Sequence, residues 1–280
     1  MFETFKNRYV FTGEVKFSTP FHIGSGGGNV MTDAAVVKYN NEKPYIPGSS
    51  FKGLLRSTVE RIGSALDIDT CHLFSDMECS EYIKKGMKNN PFNLPADEDQ
   101  YLDFILEQVP RGGSKKGICK VCRLFGCTYL ASKVSVDDLT LVEGGNNDNI
   151  SEIRDGVGID RDTGTAVEGV KFDFEVVSQD CKFKFNITVD NVEFDDTGKS
   201  TDLVLLSVGF SEFLNNAKLG GLTSRGLGSF EIENGDVYWI NLESTDNKQK
   251  FLEYLATGKL PNEMQMPLKD FVFKNIGLYF

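Results

Sequence analysis

Residues 44–62 read PYIPGSSFKGLLRSTVERI, the first stretch whose apolar residues follow a helical rather than a strand period. Phe51, Leu54, Leu55, Thr58, Val59 and Ile62 make one stripe, and Ser49 or Ser50 can cap the start. Lys52 and Arg56, four residues apart, are expected on the opposite, exposed face. Upstream, Asn7 to Thr19 (NRYVFTGEVKFST) alternates apolar and polar side chains like a half-buried strand and stops before Pro20. A second pair lies far downstream. KFKFNITVDNVEF, residues 182–194, alternates cleanly, and residues 200–217 set Leu203, Leu206, Phe210, Phe213, Leu214 and Ala217 on one helical face behind a Ser200 or Thr201 cap. LGGLTSRGLGSFEIENGDVYWI, residues 219–240, then reads as a glycine loop, a strand, an Asn-Gly turn and another short strand. Two strand–helix halves around one sheet predict an α+β fold with a ferredoxin-like core and large insertions.

The 280 residues suffice for one elaborated domain or two small ones, and 40% hydrophobic content excludes a disordered chain. There is no apolar run of membrane-spanning length, and MFETFKNRYVFTGEV lacks the basic-then-apolar layout of a secretory signal, so a cytoplasmic protein away from membranes is expected. A net charge of -11 argues against a coat of nonspecific positive charge but leaves room for a local basic groove. The acidic stretches Asp190–Asp196, Pro95–Asp103 and Glu143–Glu152 read as solvated loop surface.

Two segments interrupt the core. Residues 66–130 break any simple repeat and hold Cys71, His72, Cys79, Cys119, Cys122 and Cys127, leaving Cys181 alone. In an intracellular chain, clustered thiols serve metal more readily than disulfides. Cys119 and Cys122, two residues apart, can grip one tetrahedral zinc, with His72 plus Cys79 or Cys71 completing the set. Cys127 is either a ligand or packed under Phe125. Free buried cysteines and an iron–sulfur cluster are the alternatives, and a catalytic zinc is disfavoured because too many thiols compete for the water's position. The second interruption, within 139–174, has glycines and a DRDTG turn that suggest an extended hairpin, bounded here as 143–174.

The glycine loops Gly24–Gly28 and Gly220–Gly228 lack the Gly-Lys-Ser/Thr of a phosphate loop, and the second leads into a strand, unlike a dinucleotide fingerprint. Bare amides with Thr223, Ser224 and Arg225 can still nest a phosphate, or simply form a turn. Asp33 stands at a loop–strand border just past flexible glycine backbone, with His22 nearby in sequence. A lone loop Asp is more often a turn former, though an exposed carboxylate can hold a divalent ion or align a 2′-hydroxyl.

HIGSGGG…TD, YIPGSSFKGLLRS, CKVCRLFG, IRDGVGIDRDTGTAVEGVKFDFEVV and LGGLTSRGLGSFEI occur in that order over nearly the whole chain. Together they resemble the RAMP superfamily, and more closely the backbone subunits of type III CRISPR effector complexes. The resemblance implies an RNA-recognition-type palm with an extended thumb. Copies or homologues stack along a guide RNA beside a large signature subunit and small subunits, and each thumb interrupts the guide–target duplex. It implies cleavage of complementary target RNA at regular intervals by a Mg2+- or Mn2+-dependent attack of the 2′-oxygen, with Asp33 as the matching catalytic aspartate. It sets Ser49, Ser50, Lys52 and Arg56 at the guide backbone, and Gly220, Gly221, Thr223, Ser224, Arg225 and Gly226 on the backbone-binding surface or in the loop shaping it. Arg154, Arg161 and Lys171 become phosphate contacts on the thumb, with Thr165 and Ala166 near its tip. The cysteine insertion is no requirement of that superfamily and points to a variant branch. A noncatalytic guide-binding scaffold, and a zinc-stabilised interaction module without RNA, are the rival readings.

Overall fold

Phe11, Val15 and Phe17 of the first strand, β1 (Asn7–Phe17), are fully buried, while Thr12, Glu14 and Lys16 between them are half-buried. That alternation fits an inner strand of an antiparallel sheet with one side packed and the other wet. The computed structural model describes residues 4–28, 32–40, 42–71, 78–89, 98–109, 111, 115–143, 150–215, 217–242, 244–259 and 264–277.

After β1 come β2 (Lys38–Tyr39), β3 (Lys43–Ile46) and the helix α1 (Gly48–Ala65). The cysteine segment contributes α2 (Cys79–Asn89), α3 (Glu98–Asp103), a π-helical turn (Phe104–Gln108) and α4 (Lys120–Phe125). Strands β4 (Val134–Val136), β5 (Leu139–Glu143), β6 (Ser151–Ile159), β7 (Ala166–Val177) and β8 (Lys182–Asp190) precede α5 (Thr201–Leu214). The chain then forms β9 (Ala217–Lys218), a 3-10 turn (Thr223–Arg225), β10 (Ser229–Asn241), α6 (Thr245–Thr257), β11 (Gln265–Pro267) and α7 (Leu268–Gly277). The main sheet runs β11-β10-β1-β8-β5-β3-β2, with β4 also on β8 and β9 on β10; β6 and β7 form a separate two-stranded ribbon. The result is a mixed α+β fold on an antiparallel sheet.

Helices α1, α5 and α7 cover the packed side of the sheet. Phe51 of α1 meets Phe213 of α5 and Phe185 of β8, at ring centroids 5.2 and 5.8 Å, and Phe11 stacks on Phe210 at 5.0 Å. The expected stripe on α1 holds, with Phe51, Leu55, Thr58 and Val59 buried. Helix α5 departs from its one-faced expectation. Residues 202–210 are buried in an unbroken run, because α1, α4 and α7 flank the helix as well as the sheet.

Two local expectations are corrected. Helix α1 begins at Gly48 after Pro47 with no side-chain cap of its own; the Gly48 amide instead donates to Asp138 Oδ1 at 2.8 Å, a cap supplied 90 residues later. Ser49 and Ser50 therefore lie in the first turn rather than at the cap. Asn234-Gly235, read as a turn between two strands, lies inside the continuous β10. The register passes from Thr12↔Asp236 to Glu14↔Glu233, so two residues of β10 oppose Gly13 of β1 in a bulge, with Asn234 at φ 50°. Gly13 leaves room for a ring: a Cβ there would stand 2.8 Å from Phe185 Cε1. Gly13→Val is expected to cost about 1–3 kcal/mol by overpacking. A urea titration showing an unmoved midpoint would contradict that packing.

Candidate functional site

The chain leaving β1 turns away from the sheet and zips onto β7. Phe21 and Val177 exchange backbone hydrogen bonds of 3.1 and 2.8 Å, and the Glu175 amide donates to the Ala34 carbonyl at 2.9 Å. Between these points runs the glycine loop, of which residues 29–31 lie outside the described residues. Asp33 follows, exposed at the base of the β6–β7 hairpin, and its Oδ2 accepts from the Asp173 amide at 3.0 Å. Buried Thr32 donates its hydroxyl to the Asp173 carbonyl at 3.1 Å. One carboxylate oxygen thus orients Asp33 on the ribbon, while the residue as a whole faces solvent.

Glu175 is the hub of this junction. Its buried carboxylate accepts from Lys38 Nζ at 2.5 Å, Ser151 Oγ at 2.7 Å and the Val36 amide at 3.1 Å. Burial alone would raise its pKa, but the hydrogen bonds from Lys38, Ser151 and Val36 outweigh it and hold the group below its ordinary 4.5. A depressed carboxylate contributes stability above its unfolded pKa and loses it as pH falls through the folded one. Glu175→Gln should therefore cost about 1.5–3 kcal/mol at pH 7, the range of charge-assisted hydrogen bonds. The gap from wild type should shrink as pH drops below about 4.5. Urea midpoints that stay equally far apart at pH 7 and pH 3.5 would rule this out.

The second glycine loop closes the junction from the other side. The Gly221 amide donates to the His22 carbonyl at 2.7 Å, and the Gly228 amide to the Pro20 carbonyl at 2.8 Å. Gly220, at φ 100°, passes so near the His22 carbonyl that a Cβ would collide with it. Because a carbonyl can only accept, His22 Nδ1 carries the proton it gives to the Glu175 carbonyl at 2.7 Å. Ser224 and Arg225 are exposed beside half-buried Thr223.

Strands β6 and β7 pair antiparallel as a hairpin that runs from Ser151 to Val177. Its tip, 160–165, is closed by Asp160 Oδ1 accepting from the Asp162 and Thr163 amides at 2.9 and 2.8 Å, with Arg161, Thr165 and Ala166 exposed. Arg154 pairs with Glu152 at 2.6 Å and Lys171 with Asp155 at 3.1 Å. The Lys171 hydrogen bond pulls the Asp155 carboxyl down, whereas hydrogen bonding to the Asp155 carboxylate, partial burial and the charges of Asp155 and Asp33 push Asp173 up.

The cysteines converge on a different region. Sulfurs of Cys71, Cys79, Cys119 and Cys122 all lie within 4.8 Å of one another, every one buried and none in a disulfide. Cys71 is 3.4 Å from Cys122 and 3.6 Å from Cys119. A tetrahedral ion with metal–sulfur bonds of about 2.3 Å needs sulfurs roughly 3.8 Å apart, so the set fits one ion. The Cys119 amide donates to Cys79 Sγ and the Cys122 amide to Cys119 Sγ, each at 3.3 Å. Hydrogen bonds from Cys119 and Cys122 drive the Cys71 thiol down, while those to Cys119 and Cys71 push Cys122 up. Cys127 stays outside this group, its amide bonded to the Leu130 carbonyl at 2.8 Å, and His72 lies outside the described residues.

Lys52 and Arg56 do not occupy an exposed face. Lys52 Nζ donates to Ser132 Oγ and the Val134 carbonyl, both at 2.8 Å, and burial pulls its pKa down. Arg56 donates to Glu60, the Gly126 carbonyl and Cys122 Sγ at 2.8, 2.9 and 3.3 Å. The period of α1 marks the side away from its apolar stripe, but the chain around 122–134 returns to cover that side. Ser49 is exposed and Ser50 half-buried.

Residues 14–231 match the family model described as the RAMP superfamily. The chain belongs to the RAMP superfamily. Among curated RAMP-type relatives, it is 25% identical over 257 residues to the CRISPR system Cms endoribonuclease Csm3 of Methanothermobacter thermautotrophicus, covering 82% of this chain and 85% of that protein. The protein of the same name from Methanocaldococcus jannaschii is 25% identical over 239 residues, covering 82% and 80%. In this RAMP chain, sequence reasoning did not find Glu175, Thr32, Asp173 or Asp138. The signal available for Glu175 was an acid set between Phe174 and Val176 in FDFEVV, where the run heads for the core.

Proposed function

We propose that this chain is a guide-RNA-binding backbone subunit of a type III CRISPR complex that cleaves complementary target RNA at regular intervals, acting in the cytoplasm. The observation that carries the reading is the docking of Asp33 on the Asp173 amide of the hairpin, beside the junction that the second glycine loop closes at His22. The strand order β10-β1-β8-β5, with α1 and α5 as crossovers, supports a ferredoxin-like core. The wet side of that sheet carries charge pairs such as Lys16–Glu233 and Arg8–Asp190 rather than an aromatic stacking platform. RNA is therefore assigned to the loops and the hairpin. No helix among the described residues is long and apolar enough to cross a membrane.

In this reading the guide backbone lies along Ser49, Ser50 and the loop Gly221–Arg225, whose bare amides and Arg225 suit phosphates. The β6–β7 ribbon is the thumb; Arg154, Arg161 and Lys171 follow the strand, and Thr165 sits at the point where pairing is interrupted. Sequence is read by guide–target pairing, not by this chain. At the interruption, the target's 2′-oxygen loses its proton and attacks the adjacent phosphorus. The departing 5′-oxygen takes up a proton, leaving a 2′,3′-cyclic phosphate and a 5′-hydroxyl.

Carboxylate, phosphate and water oxygens suit Mg2+ or Mn2+, and such an ion, when bound, supplies positive charge at the reacting phosphate. Asp33 contributes a carboxylate held in place through one oxygen by the Asp173 amide. The four cysteines hold a structural zinc, for which all four sulfurs are buried and no water position remains. Partners are the guide, its target, further backbone copies or homologues, and the large and small subunits of the complex.

The experiment is cleavage of end-labelled complementary RNA by the reconstituted guide complex in Mg2+ or Mn2+. Evenly spaced products support the endoribonuclease. Guide binding without products makes the chain a scaffold, and a purified chain that assembles with no RNA defeats both.

A further inference from the structure

Arg56 is half-buried on α1, and each of its three guanidinium nitrogens donates to a group inside the protein. Nη1 donates to the Gly126 carbonyl at 2.9 Å, Nη2 to Cys122 Sγ at 3.3 Å and Nε to Glu60 Oε1 at 2.8 Å. Glu60 is itself buried, its side chain 8% exposed, so it meets the arginine in a poorly solvated place. Four thiolates around one divalent cation carry two net negative charges, and burying them without compensation is costly.

A second buried guanidinium serves the same segment through Asp69. Arg111, its side chain 3% exposed, pairs with Asp69, whose carbonyl accepts from the Lys120 amide at 3.1 Å next to Cys119, and keeps a buried Nε with no hydrogen-bond partner among the described residues. Asp69 and its neighbour Thr70 lead directly into Cys71.

We propose that Arg56, aimed by Glu60, is the outer-sphere positioning residue of the four-cysteine metal centre, with Arg111 as its counterpart, and that neither contacts a guide phosphate. The inference rests on the metal reading above. A guanidinium N–H bonded to a metal-bound sulfur withdraws charge from it and fixes its direction, the latter being what carboxylates also do for metal-bound imidazoles. Because Arg56 belongs to α1 and its partners to α4 and the turn after it, the contact also ties the metal segment to the core.

The test measures zinc affinity of the full chain by chelator competition and follows the thiolate-to-cobalt absorption band of the cobalt-loaded protein. Arg56→Met should weaken zinc retention about 10–100-fold and shift the cobalt band. Arg56→Lys, which keeps the charge but not the fork, should fall between. If Arg56→Met does not accumulate folded, Glu60→Gln carries the test, a several-fold weakening being expected. Zinc affinity equal to wild type in the folded variants overturns the proposal. Guide-RNA loss at full zinc occupancy, with that affinity intact, overturns it in favour of a phosphate contact. A wild-type chain that takes up neither zinc nor cobalt defeats the metal centre itself, and the proposal with it.

Discussion

Replacement of Asp33 by alanine is expected to lower target cleavage by the assembled complex at least about 100-fold, equivalent to about 3 kcal/mol of transition-state stabilisation, while target binding persists. The side chain is exposed, and its Oδ2 bond to the Asp173 amide holds only a local loop. Its removal should therefore leave the core intact. Asp33→Asn sharpens the test. The amide oxygen can still accept from Asp173, so the loop keeps its position, but the negative charge is gone. Cleavage by the asparagine variant at the wild-type rate would mean that charge is not required, and the catalytic assignment would fall. Gel-resolved products from labelled RNA, beside filter binding of the same RNA, separate chemistry from binding.

Metal withdrawal is expected to have the larger structural effect. The four cysteines come from three places: Cys71 after α1, Cys79 opening α2, and Cys119 with Cys122 at α4. Buried Ile68, Ile83, Ile105, Ile118 and Val121 share one apolar cluster with these cysteines, and structural zinc in small sites adds about 10–16 kcal/mol at neutral pH. One zinc per chain is expected by elemental analysis. Chelation, or Cys119→Ser, should open the segment between α1 and β4 to protease while the β1–β8–β10 sheet keeps its circular dichroism. A protein that contains no metal as purified, and whose digestion pattern ignores chelator, would return these residues to plain buried thiols.

The periodic parts of the chain were legible because burial leaves a mark on neighbouring residues: β1, β8 and α1 lie close to where alternation and helical spacing put them. What was lost was decided by segments distant in sequence. Asn234-Gly235 has the composition of a turn, yet the ladder on both sides makes it a bulge opposite Gly13. Lys52 and Arg56 sit where an isolated helix would be wet, and the fold covers them. Of the candidate site, the glycine blocks and Asp33 could be read off as a resemblance. The hydrogen bonds that aim Asp33, from Asp173 and through Thr32 and Glu175, join residues some 140 positions apart and leave no local pattern. The cysteine set was half visible, because spacing binds Cys119 to Cys122 but cannot choose among more distant donors.

The place of β1 has a consequence for how the molecule is made. Both of its sheet neighbours, β8 and β10, are translated only after residue 181, so a strand bearing Phe11, Val15 and Phe17 emerges early and waits for its partners. Such long-range pairing slows folding and leaves apolar edge exposed in the nascent chain. Newly synthesised protein should therefore depend on chaperone capacity, and expression at low temperature should raise the soluble yield.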